Sequence, residues 1–162
     1  MADDTKSGPK VVDSPKDLSA KVPRSGGISL EEAVAKSNAA LESVIEEHKP
    51  DVSGQLDEIA QLHTSYQANQ SADVLDQIFK AVHKLRGDAV TLGYPLISRI
   101  GSSFCRYLLE KGKDVDPHPV LVAEHINAMI AAYKEAEENT ADATGDEVAA
   151  ALEQTVSKLV AG

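Results

Sequence analysis

Residues 75–93 read Leu75-Asp76-Gln77-Ile78-Phe79-Lys80-Ala81-Val82-His83-Lys84-Leu85-Arg86-Gly87-Asp88-Ala89-Val90-Thr91-Leu92-Gly93. The apolar positions Leu75, Ile78, Val82, Leu85, Ala89 and Leu92 follow at steps of 3, 4, 3, 4 and 3. That spacing predicts an amphipathic helix with one seam turned to a helical core. Gly93 suits the position just past a helix end, and Pro95 suits the first turn of the next helix. His83 stands one residue off the seam, at the border of the buried stripe.

The neighbours of His83 point to chemistry. Gly87, four residues on, lies above it on the same face. Glycine inside a helix costs about 1 kcal/mol against alanine. That cost makes sense where a side chain would block approach to the imidazole. Arg86, three residues on, shares the face and can donate to phosphoryl oxygens. Lys84 is adjacent and points partly away. A neutral imidazole is a nucleophile, and an ordinary histidine is largely neutral at neutral pH. An exposed imidazole beside cations therefore fits uptake of a dianionic group.

The same helical reading extends outward. Ser29 and Glu32 form a capping box before a stripe of Leu30, Val34, Leu41, Val44 and Ile45, and Pro50 is expected to end or kink that helix. Val52, Leu56, Ile59, His63 and Tyr66 mark a second helix over 51–68. The His83 helix covers 72–92. A fourth, over 95–112, carries Ile97, Ile100, Phe104, Tyr107 and Leu108 and closes at Gly112. A fifth, over 118–138, carries Val122, Ile126, Met129 and Tyr133. After a polar break at 139–145, Val148, Leu152, Val156 and Leu159 mark a short amphipathic helix. Residues 1–28 hold three prolines, three glycines and scattered charges without an apolar period, which reads as a disordered tail. The expected fold is all-α. Helices over 51–138 form an antiparallel up-and-down four-helix bundle, with additional N- and C-terminal helices. The domain boundaries expected are 1–28 (tail), 29–139 (bundle) and 140–162 (linker and last helix).

Composition narrows the function. The net charge of −10 argues against general nucleic-acid binding. Charge is unevenly placed: residues 80–113 hold seven basic groups against two acidic ones, whereas 29–79 and 114–162 each hold two basic against ten acidic. The positive block, Lys80, Lys84, Arg86, Arg99, Arg106, Lys111 and Lys113, coincides with His83 and suits an acidic partner. No apolar run is long enough to span a membrane, and no secretory signal is visible. The single Cys105 excludes an internal disulfide framework and reads as a packed structural thiol, consistent with a cytoplasmic setting. His48, near the expected helix end at Pro50, is placed to meet the last carbonyls. His63 falls in an apolar stripe, His118 sits between two prolines, and His125 reads as a surface or bundle-edge group. No histidine pair has helical metal-ligand spacing, so no metal site is expected.

The run His83–Gly93 resembles the signature of the histidine phosphotransfer (HPt) domain: His, any residue, Leu, Lys, Gly, Ser, Ala, two of any residue, Leu, Gly. His83, Leu85, Gly87, Ala89, Leu92 and Gly93 match. Arg86 stands in place of Lys and keeps the charge. Asp88 stands in place of Ser and puts a carboxylate near the motif. The resemblance implies a four-helix bundle in which His83 accepts a phosphoryl group and relays it between a sensor histidine kinase or receiver domain and a response-regulator receiver. Lys84, Arg86 and Gly87 would serve the phosphate or the partner. It implies a phosphate carrier without independent catalysis, with no cofactor of its own and Mg²⁺ supplied by the receiver. The alternative is a helical scaffold that binds receivers without accepting phosphate. A full histidine kinase is not expected, because no ATP-binding glycine motifs appear and these 162 residues are too few for that domain. Oligomeric state stays open.

Overall fold

The computed structural model describes residues 27–111, 115–140 and 143–161. The expected tail, up to residue 26, and the helix end at Gly112 lie outside the described residues. Five helices follow in order: α1 (Leu30–Asn69), α2 (Ala72–Thr91), α3 (Pro95–Glu110), α4 (Pro119–Glu137) and α5 (Ala143–Ala161). No strand occurs among the described residues, so the all-α class holds.

The chain divides after Ala39 into two units. In the first, Met1–Ala39, the start of α1 is capped as the sequence suggests. The Glu32 N–H donates to Ser29 Oγ at 3.1 Å, and the Ser29 N–H donates to Glu32 Oε2 at 3.0 Å. Leu30 and Val34 are exposed.

The second unit, Ala40–Gly162, holds the core. It is built from Val52, Leu56, Ile59 and Tyr66 of α1; Ile78, Val82, Leu85 and Ala89 of α2; Ile97, Ile100, Phe104 and Tyr107 of α3; Val122, Ile126 and Met129 of α4; and Ala149, Leu152 and Val156 of α5. The period of each run thus does what the sequence indicated, with three departures. The helix does not end at Pro50, so the two expected N-terminal helices are one element, α1. Leu41 and Val44 are exposed, so the first apolar stripe is not core. On α5 the buried residues are Ala149, Leu152 and Val156, while Val148 and Leu159 are exposed. Small Ala149 faces inward because α5 approaches its neighbour closely. A Cβ at Gly145 would stand 2.6 Å from Leu96 Cδ2.

Arg99 of α3 ties α5 in place. Its Nε and Nη2 donate to the two carboxylate oxygens of Glu153, both at 2.8 Å, and its Nη1 to Asp146 at 2.8 Å. A forked guanidinium–carboxylate pair of this kind fixes direction as well as distance.

Two histidines depart from expectation. His125 is fully buried, not at an edge: one ring nitrogen, Nδ1, meets Leu121 O at 2.7 Å and the other, Nε2, meets Ser103 Oγ at 3.0 Å. Phe104 packs edge-on against the ring. Both nitrogens are partnered, which makes burial of the polar ring tolerable. His48 lies inside α1 and pairs with Asp51 at 2.9 Å instead of capping a helix end. Cys105 is buried as expected, and burial pushes its thiol up.

Candidate functional site

α2 carries the site and ends in a motif that fixes its last turn. The Gly93 N–H donates to Val90 O at 3.3 Å and the Tyr94 N–H to Ala89 O at 2.7 Å. These are the two bonds of a Schellman cap, with Gly93 at φ +90. Four α2 side chains point into the core, so the rotation of the helix is set. His83, between Val82 and Lys84, is turned out to solvent.

The imidazole has a neighbour on either side along the helix. Arg86 Nη2 donates to His83 Nε2 at 3.2 Å. Phe79, one turn earlier, places its ring 6.1 Å from the imidazole, centre to centre, at an interplanar angle of 40°. Gly87 is exposed, and a Cβ built there meets no atom within 4 Å. The space at Gly87, one turn along from the exposed imidazole, is therefore open.

The two flanking cations diverge. Arg86 is half-buried, its stem packed on α3 where Gly101 leaves room: a Cβ at Gly101 would lie 3.4 Å from Arg86 Cβ. Lys84 lies on the other side. It lines a groove of about 350 Å³ between α1 and α2, with Gln55, Glu58, Gln77 and Lys80. Residues one apart are about 100° apart around a helix. The structure thus brings His83, Arg86 and Gly87 together and sets Lys84 apart from them.

Asp88 is turned away as well. It lies five residues from His83, about 140° around the helix, and accepts a hydrogen bond from Gln55 Nε2 of α1 at 3.1 Å. The carboxylate that replaces Ser in the motif thus faces α1.

The basic block is smaller than its sequence count. Arg99 is held by Asp146 and Glu153, Arg106 by Glu110, and Lys80 by Asp76. Lys111 donates to the Val115 carbonyl, and Lys113 lies outside the described residues. Among the described residues, Lys84 and Arg86 have no carboxylate at ion-pair distance. An apolar groove of about 280 Å³ runs beside the site between α2 and α3, lined by Leu75, Phe79, Leu108 and Leu109. Leu109 is 71% exposed.

A family model described as the Hpt domain matches residues 43–161. The chain belongs to the Hpt domain family. Membership places it in the histidine phosphotransfer of two-component phosphorelays. Hpt domains are phosphotransfer carriers rather than catalysts, and they interact with kinases and receiver domains. Comparison with curated proteins and with solved structures found no match. The Hpt match takes in α5, in keeping with the burial of its inner face. Among the described residues no helix is long and apolar enough to cross a membrane, and no group of three or more His, Cys, Asp or Glu residues is arranged to hold a metal ion.

Three contributors escaped the sequence reading. Phe79 could have been found as the aromatic residue one turn before His83. Gly101, a glycine inside a helix, signals close approach of another element. Gln55 left no signal, because it lies on a different helix and its partner is a residue that departs from the motif.

Proposed function

We propose that this chain is a histidine phosphotransfer protein. It accepts a phosphoryl group on His83 and relays it between a sensor histidine kinase or receiver domain and a response-regulator receiver. The observation that carries this reading is an exposed imidazole with open space over Gly87 and a guanidinium at its edge, on the helix that bears the family motif.

In the step, a ring nitrogen of His83 attacks phosphorus of a receiver's aspartyl phosphate. The N–P bond forms as the P–O bond to the aspartate breaks, and the electron pair of that bond stays on the carboxylate. Phosphoryl transfer of this kind depends on positioning and charge neutralisation. Arg86 is placed to neutralise phosphoryl oxygens. Lys84, on the α1 side, meets the acidic rim of the partner, and the Leu75–Leu109 groove offers it an apolar footing. Mg²⁺ belongs to the receiver. The setting is the cytoplasm.

The test is incubation with a receiver phosphorylated on its aspartate. Acid-labile, alkali-stable label should appear on the wild type and not on His83→Gln. Binding of the receiver without label would instead support a scaffold.

A further inference from the structure

We propose that Arg86 is a positioning residue that sets the tautomer of His83, placing the ring proton on Nδ1 and the lone pair on Nε2. This rests on the reading of His83 as the phosphoacceptor and adds to it a function for Arg86 in the resting protein, before any phosphate arrives.

The geometry leaves little choice. A guanidinium has five N–H donors and no acceptor. The contact between Arg86 Nη2 and His83 Nε2, at 3.2 Å, is a hydrogen bond only if Nε2 accepts. A neutral imidazole carries one proton, so that proton sits on Nδ1. No other hydrogen bond to this ring occurs among the described residues, so nothing competes with Arg86 for control of it. The donor is itself held. The arginine stem lies against α3 at Gly101, and its neighbour four residues before His83, Phe79, flanks the ring from the other side.

The arrangement matters because a histidine left to itself in water favours the opposite form, with the proton on Nε2. That form keeps its lone pair on Nδ1, next to the carbon that joins the ring to the backbone, where a phosphoryl group has least room. Arg86 moves the lone pair to the outer nitrogen, on the ring edge away from the backbone. When Nε2 bonds to phosphorus it can no longer accept from Arg86. The guanidinium is then released to the phosphoryl oxygens that arrive in the same place. Nδ1 keeps its proton through the step, and the ring takes one positive charge against the phosphoryl's negative ones. The proton can afterwards leave to solvent.

The experiment reads the tautomer directly. Full-length protein with ¹⁵N-labelled histidine is studied without any partner by long-range ¹H–¹⁵N correlation, at about pH 8 where imidazoles are neutral. His83 is assigned by its absence from the His83→Gln spectrum. The wild type should show a protonated Nδ1 and an unprotonated Nε2. Arg86→Ala should move the ratio about tenfold or more towards the Nε2-protonated form, the size expected of a charge-assisted hydrogen bond. Arg86→Lys should restore part of it, since an ammonium can donate one bond from the same position. A wild-type His83 protonated on Nε2, or an unchanged ratio in Arg86→Ala, would overturn the assignment. The readout needs no phosphate. A protein that shows the tautomer shift yet takes no label would defeat the phosphoacceptor reading and leave the Arg86 assignment standing.

Discussion

Gly87→Leu separates helix stability from access to the imidazole. A Cβ at Gly87 meets nothing within 4 Å, so the first carbon of a new side chain displaces no packed atom. Replacing an exposed glycine inside a helix by leucine gains up to about 1 kcal/mol in propensity. For a chain of this length that corresponds to a Tm rise of roughly 2–4 °C. Position 87 stands about 6 Å along the axis from His83 and about 40° around it. Helical side chains lean back towards the preceding turn, so the leucine covers the imidazole. Misplacement of reacting groups by about 1 Å can cost on the order of 100-fold in rate. Transfer from a phosphorylated receiver, followed by rapid quench, should therefore slow by about that factor while thermal melts rise. Gly87→Ala should give a similar gain in Tm with a smaller loss of rate. Wild-type transfer in a folded Gly87→Leu variant would refute the clearance argument. A fall in Tm would show that the space over Gly87 is not open.

Ser103→Ala removes the hydroxyl that meets buried His125 and should cost about 1–3 kcal/mol in urea titrations; an unchanged midpoint would show that the pair is not coupled in the core. Burial pushes the His125 imidazole below its ordinary value of 6.5, partly opposed by its bond to Leu121. The unfolded chain then binds the proton more readily, so this contribution is full above about pH 6.5 and is lost as pH falls below it. Wild-type stability should decline over that range, and replacing His125 by Gln should flatten the decline. Arg99→Ala should speed amide exchange along α5 more than along α2, whereas equal exchange in both helices would show that the Arg99 pairs do not hold α5. Lys84→Glu should slow transfer at low salt and converge on the wild type at high salt, because exposed charges act on encounter and are screened. Arg86→Glu should stay slower at all salt concentrations. If wild-type transfer is independent of salt and both variants match it, the two cations are only a solvated face.

The α2 region was the most legible part of the chain. Its 3–4 spacing placed Ile78, Val82, Leu85 and Ala89 in the core, and the one-residue offset placed His83 at the surface. Gly93 and Pro95 marked the turn to α3 because each answers a local backbone need. Contacts between helices were not legible. A run of seven basic residues looked like one patch, but α5 takes up Arg99 through carboxylates about fifty residues away in sequence. His125 looked like an edge group because a single residue type says nothing of what faces it; Ser103 on α3 makes its burial possible. Pro50 looked like a boundary, yet α1 continues through it. Proline lacks a donor, but that local deficit does not by itself decide where a helix stops. The separation of Lys84 from Arg86 followed from helix geometry, while their destinations depended on α1 and α3.

In the proposed function one histidine of five carries the phosphate. After incubation with a phosphorylated receiver, the protein should be cleaved at neutral or alkaline pH and each histidine peptide sequenced by electron-transfer fragmentation. The phosphoryl group should appear on His83 alone, with His48 and His118 unmodified although they too are exposed. Phosphate on another histidine, or undiminished label in His83→Gln, would contradict it.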